Sequence, residues 1–155
     1  MAEERGVLLA IDLGSARVGV AACDQERILA YPLEVIPADS GVEERIVELV
    51  GNLGAVGLII GYPLTLDGQV GIAASKVADI AARLAAKVAI PVWLVDERLS
   101  TAQAHKRLRA AGRNAKKARP IVDSAAAVGI LESVLAALER GQTIGQAVTK
   151  EDPGV

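Results

Sequence analysis

The stretch Leu8–Ala22, LLAIDLGSARVGVAA, decides how the chain is read. Apolar residues lead up to Asp12, the pattern breaks at Gly14-Ser15, and a second apolar run begins at Val18. Two strands, Val7–Leu13 and Val18–Asp24, joined by a tight turn in which Gly14 supplies backbone freedom, fit this pattern. A carboxylate in so apolar an arm loses its hydration and needs a partner in return. Two readings of Asp12 stand at this point: it meets a cation, or it accepts backbone N–H groups of the turn near Gly14.

Working outward, Arg27–Ile36 reads as a third strand whose Pro32 predicts an edge position or a bulge. After Pro37 the period changes. Ser40 is placed to cap a helix with Val42, Ile46, Leu49 and Val50 on one face. Val56–Ile60 is a short apolar run of the kind found in buried parallel strands. A turn-rich loop follows, Gly61–Gly71, carrying Gly61, Pro63 and Gly68. A helix over about Val70–Val88 shows Ala73, Val77, Ile80, Ala81, Leu84 and Val88 at helical spacing, and Pro91–Val95 is a further buried strand ending at Asp96 and Glu97. A helix over Thr101–Ala111, a basic loop Gly112–Arg119 and a last helix from Pro120 to about Arg140 complete the pattern. The expectation is one α/β domain over residues 1–141 with a mixed five-stranded sheet, an antiparallel meander plus parallel strands, flanked by helices. Residues 142–155 read as a flexible C-terminal tail. Sheets of this kind bind ligands beyond the carboxyl ends of their parallel strands.

The chain has 155 residues, enough for one full core. A single cysteine, Cys23, and a single histidine, His105, exclude an internal disulfide and zinc sites needing several such ligands. Metal chemistry would be oxygen-based and suit Mg2+ or Mn2+. With no Phe, two Tyr and one Trp, stacking of bases on aromatic rings is poorly supplied. No leader and no apolar run of membrane-spanning length are evident, so a cytoplasmic protein with no membrane partner is expected. Net charge is −2, yet eight of the 17 basic residues and none of the 19 acids fall between Arg98 and Arg119. A basic patch on an acidic body can grip phosphates, although a charge run can equally be a solvated face.

Three acids are placed oddly. Asp12 ends the first strand, and Glu97 lies just past the end of Pro91–Val95. If those strands are neighbours, both acids emerge at one rim. At about 100° per residue, Asp123 shares a stripe with Ala127, Ile130, Val134 and Ala137, opposite the outward Glu132 and Glu139. The alternatives are specific: Glu97 pairing with Arg98 or another basic residue, and Asp123 held by the helix dipole in a first turn, a small effect of about 0.3–1 kcal/mol. Alternation sends Asp96 and Glu97 to opposite sides, so only one is expected to be a ligand. Glu97 is favoured, with Asp96 supporting it from behind. Three converging carboxylates repel one another, and divalent cations relieve the repulsion.

The segments IDLGSARVGVA, GYPLTLDG, VDERLSTAQA and KKARPIVDSAAAVGIL resemble, in order and spacing, the motifs of the YqgF family, also called RuvX. The resemblance runs from about Val7 to Gly141. It implies a ribonuclease H-like fold related to Holliday junction resolvases, and a nuclease maturing the 5′ end of the 16S ribosomal RNA precursor. It also implies that Asp12, Glu97 and Asp123 are the catalytic, metal-binding acids. Asp96-Glu97-Arg98 matches the family's DER motif intact, while Ser100 stands where threonine is commoner.

Around these acids, Arg17, Arg98, Lys116, Lys117 and Arg119 are expected to contact nucleic acid, a structural salt bridge being the alternative for Arg17. Gly61, Pro63 and Gly68 are expected to admit the substrate backbone, the alternative being a plain connector. His105 reads as a surface residue and Cys23 as packing. The expected partners are precursor ribosomal RNA or branched DNA and the small ribosomal subunit or its precursor, bound by a monomer or a homodimer. Resolution of branched DNA, a non-catalytic ribosome-assembly factor and a phosphotransferase are the competing functions.

Overall fold

The computed structural model describes residues 5–99 and 115–148, with side chains for 5–98 and 125–148. In chain order the elements are β1 (Leu8–Leu13), β2 (Arg17–Cys23), β3 (Ala30–Pro37), α1 (Val42–Leu53), β4 (Gly57–Tyr62) and α2 (Ile72–Lys87). They continue with β5 (Val92–Asp96), a single 3-10 turn over Glu97–Leu99, α3 (Ala115–Glu139) and β6 (Gln146–Ala147). The strands lie in the order β3-β2-β1-β4-β5-β6. β1 to β3 form the expected antiparallel meander, and β1, β4 and β5 run parallel.

Strand alternation divides the core into two layers. Leu9, Ile11, Val18, Val20, Leu58 and Ile60 face α1 and α2, in a cluster with Ile46, Leu49, Val77 and Leu84. Leu8, Ala10, Ala21, Ile59 and Val95 face α3, in a cluster with Ala126, Ala127, Ile130, Leu131 and Val134. The small Ala126 and Ala127 let α3 lie close to the sheet, and full burial of Ile130 and Leu131 contributes about 1.5–3 kcal/mol each.

Several sequence expectations are corrected. The sheet has six strands rather than five, because Gln146 and Ala147 pair antiparallel with Leu94 and Trp93. This stretch, expected to be part of a flexible tail, is docked by Val148 N–H donating to Val92 O at 2.8 Å. β3 starts at Ala30, not Arg27: the Asp24 carboxylate accepts N–H groups of Ile28 and Leu29, and Arg27 takes a φ of 62°, which no strand continues. Pro32 sits on the edge strand, beside a register shift at Val20/Ala21. Ser40 does not cap α1; Gly41 holds that position, and Asp39 Oδ1 accepts its N–H at 2.8 Å. In α2 it is Ala74, not Ala73, that is buried.

α3 overturns two further expectations. Residues 115–119 are already helical, so the basic loop does not extend to Arg119 and Pro120 is not the first helical residue. Asp123 consequently lies more than two turns past Ala115, where the dipole effect of a first turn has faded. The expected helix Thr101–Ala111, with His105, lies outside the described residues. Among the described residues no helix is long and apolar enough to cross a membrane.

Candidate active site

β1 and β5 are not neighbours, the arrangement under which Asp12 and Glu97 were expected to emerge at one rim; β4 runs between them. All three are parallel, so their carboxyl ends still share one rim. Ile11 is level with Ile60, and Ile60 with Leu94. The next residues along, Asp12, Gly61 and Val95, therefore continue across the rim at strand spacings of about 4.8 Å.

Alternation fixes which face each side chain takes. Ala10 packs under α3 and Ile11 on the other face, which sends Asp12 to the α3 face. Leu94 and Val95 alternate likewise, sending Asp96 toward α1 and α2 and Glu97 toward α3. Among the described residues, Asp12 at 2% exposure and Glu97 at 7% are the buried charged groups.

Glu97 reaches that position across a glycine. A Cβ built at Gly61 would lie 2.8 Å from Glu97 Oε1, 3.1 Å from Glu97 Cγ and 2.7 Å from Ile130 Cδ1. The carboxylate thus rests over the bare backbone of β4, under α3. Gly61, expected to face substrate, is a buried strand residue whose open face is filled by protein.

Asp96 has a separate role. Arg98 Nε donates to its Oδ1 at 3.0 Å, Nη2 to its Oδ2 at 2.7 Å, and the Arg98 backbone N–H to Oδ1 at 2.9 Å. The Arg98 hydrogen bond, opposed by partial burial, holds the Asp96 carboxyl below the usual carboxylate range. Glu97 is not the partner of Arg98, as one reading had it, because Asp96 takes the guanidinium. The remaining Nη1 donates to Leu66 O at 3.3 Å and lies beside Gly68, whose φ of 85° closes the turn. That turn is tied internally, with Gly68 N–H donating to Thr65 O and Gln69 N–H to Thr65 Oγ1. Arg98, expected to contact nucleic acid, thus clamps the β4–α2 loop. The i,i+2 spacing of Asp96 and Arg98 was the available signal, but it does not separate a clamp from a phosphate contact.

Arg17 starts β2 on the same face as Asp12, and its Nη1 is buried with no hydrogen-bond partner among the described residues. The structural salt bridge considered for it is not formed among those residues. Pro63 lines a cavity of about 710 Å³ on the opposite face of the rim, with Leu13, Val18, Ile72 and Lys76.

The third acid depends on α3. Ile130 lies over Gly61 at the carboxyl end of β4, while Leu138 lines a pocket with Leu8 at the start of β1. The helix therefore runs antiparallel to β1 and β4, with its earlier residues toward the rim. Residue 123 is two turns before Ile130, about 10 Å along the axis, on the stripe that Ala127, Ile130 and Val134 bury. The side chains of Lys116, Lys117, Arg119 and Asp123 lie outside the described residues. Among the described residues there is no group of three or more acids, histidines or cysteines able to hold a metal.

A family model described as "RuvX: Holliday junction resolvase" matches residues 6–137. The chain belongs to the RuvX family. Among its relatives, proteins named "Putative pre-16S rRNA nuclease" from Kineococcus radiotolerans and Cutibacterium acnes are 44% and 45% identical to this RuvX chain. The two alignments cover 92% and 89% of the chain, and 78% and 87% of those proteins. Among solved structures, RuvC of T. thermophilus in complex with a Holliday junction substrate superposes with a TM-score of 0.61 at 14% identity. That match covers 89% of this chain and 98% of RuvC, and establishes the ribonuclease H-like fold.

Proposed function

We propose that this RuvX protein is a divalent-metal-dependent nuclease that hydrolyses phosphodiester bonds in the precursor of 16S ribosomal RNA, at or near its 5′ end. The observation that carries the reading is the burial of Asp12 and Glu97 on one face of one rim, on either side of Gly61. Hard oxygen donors at that rim, with no softer ligand beside them among the described residues, suit Mg2+ or Mn2+. Asp12 and Glu97, with Asp123 brought toward the rim by α3, are the residues that would hold the ion. A bound ion supplies Lewis-acid stabilisation of the charge that gathers on the phosphate during hydrolysis.

The chain's own groups account for the rest. Burial keeps bulk water from the two carboxylates and strengthens their field. The Arg17 guanidinium, whose Nη1 has no hydrogen-bond partner among the described residues, would take a phosphate oxygen. Lys116, Lys117 and Arg119, at the rim-facing end of α3, grip the backbone of the nucleic acid and set its register without reading sequence. Arg98 keeps the β4–α2 loop in place beside the substrate path. The protein works in the cytoplasm on RNA carried by the precursor of the small ribosomal subunit.

The test is cleavage in Mn2+ of a precursor RNA spanning the 16S 5′ end, with a four-way DNA junction alongside. Cleavage of the RNA, abolished in Asp12→Asn, supports the reading; binding without cleavage by the wild type overturns it in favour of an assembly factor. The second reading, a junction resolvase, is favoured by the family description and the RuvC likeness. It requires symmetric cuts in the DNA junction and a dimer in solution.

A further inference from the structure

We infer that Gly61 is a positioning residue: its missing side chain opens a lane across β4 through which the Glu97 carboxylate passes from the end of β5 toward the strand that carries Asp12. The part of this that concerns metal rests on the function proposed above. The steric part does not.

With β4 lying between β1 and β5, two acids at those strand ends are separated by a full strand, and the rim residue of β4 decides whether they meet. Any Cβ at Gly61 would stand 2.8 Å from Glu97 Oε1 and 2.7 Å from Ile130 Cδ1, closer than side-chain carbons approach such atoms. The backbone itself makes no demand for glycine here: residue 61 lies within a regular parallel strand, paired with Val95, and its φ is not positive. The requirement comes from the side chains of two other elements. Ile130 on α3 roofs the lane, so a displaced Glu97 carboxylate cannot simply rise and must swing away from Asp12. Both contacts are with side-chain ends, so a methyl group at residue 61 is absorbed by moving the carboxylate more than by unfolding the sheet.

The experiment compares the full chain with Gly61→Ala, Glu97→Ala, the double variant, Gly61→Ala/Ile130→Val, and Gly51→Ala as a helix glycine with nothing within 4 Å of an added Cβ. Thermal unfolding is followed without metal and across a Mn2+ titration. In metal-free protein Gly61→Ala should lower Tm by roughly 5 °C, and by clearly less when Glu97 is already Ala. The Mn2+ concentration needed to raise Tm should increase roughly 10–100-fold in Gly61→Ala. Ile130→Val, which removes Cδ1, should recover Tm but not the Mn2+ response. Gly51→Ala, which puts a better helix former where an added Cβ meets nothing, should hold or raise Tm and leave the Mn2+ response as in the wild type. A wild-type Mn2+ response in Gly61→Ala overturns the inference, as does a Tm loss equally large in the Glu97→Ala background. If the wild type itself shows no Mn2+ response, the metal reading fails. The coupling between residues 61 and 97 in metal-free protein then decides the inference: present, it stands; absent, it falls.

Discussion

Arg98 grips both carboxylate oxygens of Asp96 and, with its remaining nitrogen, the carbonyl of Leu66 on the next loop. A planar fork held in this way has one orientation, which an ammonium in its place would not have. Arg98→Lys is expected to free the Thr65–Gln69 turn while leaving the two buried acids in place. Amide exchange at residues 64–70 should quicken, and cleavage should fall about tenfold with the Mn2+ response unchanged. Equal exchange in both proteins would show that the turn's own hydrogen bonds suffice.

Asp123→Asn is expected to abolish cleavage and to leave the metal-free protein as stable as the wild type or more so. On the proposed reading Asp123 adds a third charge beside Asp12 and Glu97, and removing it relieves repulsion when no cation is bound. Urea unfolding in chelator, beside a cleavage assay, checks it. An active variant, or one badly destabilised in chelator, would assign Asp123 to the scaffold.

Reversing Lys116 and Lys117 to Glu is expected to weaken RNA binding and to flatten its dependence on salt, by about 0.7 in log–log slope for each lost phosphate contact on a single strand. Binding measured at several salt concentrations gives the slope. An unchanged slope would move the substrate path away from the start of α3.

Glu34 accepts from Arg45 Nε at 2.8 Å and Nη2 at 2.7 Å, tying β3 to α1, and these bonds hold its carboxyl below the ordinary glutamate range. In the unfolded chain the group titrates near about 4.3. The folded state binds fewer protons there, so the pair's contribution is complete above that value and is lost as pH falls through the lower folded one. Glu34→Gln should cost no more than about 1 kcal/mol at pH 7, since both side chains are partly exposed, and should flatten the acid limb of stability. Unfolding curves at pH 7, 5 and 3 test this; an unchanged acid limb would leave the pair without effect.

What was legible in the sequence is what depends on local period. Alternation put Asp96 and Glu97 on opposite sides, and the 3.6-residue period of Ala127, Ile130 and Val134 gave the buried side of α3. What was not legible depends on partners far along the chain. Nothing near Val56–Ile60 says that this strand separates β1 from β5, and so nothing near Gly61 says that Glu97 will need its face. Arg98 looked available because its charge was counted with a basic run, when a carboxylate two residues earlier had already taken it. β6 was missed because two residues carry no period; their pairing is set by β5.

The short β6 has a consequence for how copies of the molecule meet. Without it β5 would offer a bare row of amide and carbonyl groups, the template on which another chain's strand could add. Two paired residues, laid down where Gly145 lets the backbone press against Leu94, leave too short a border for a foreign strand to extend. At the opposite border, Pro32 withholds the amide that such an addition would use. Both flanks of the sheet thus carry a device that discourages strand-by-strand growth, a brief cover on one side and a proline on the other.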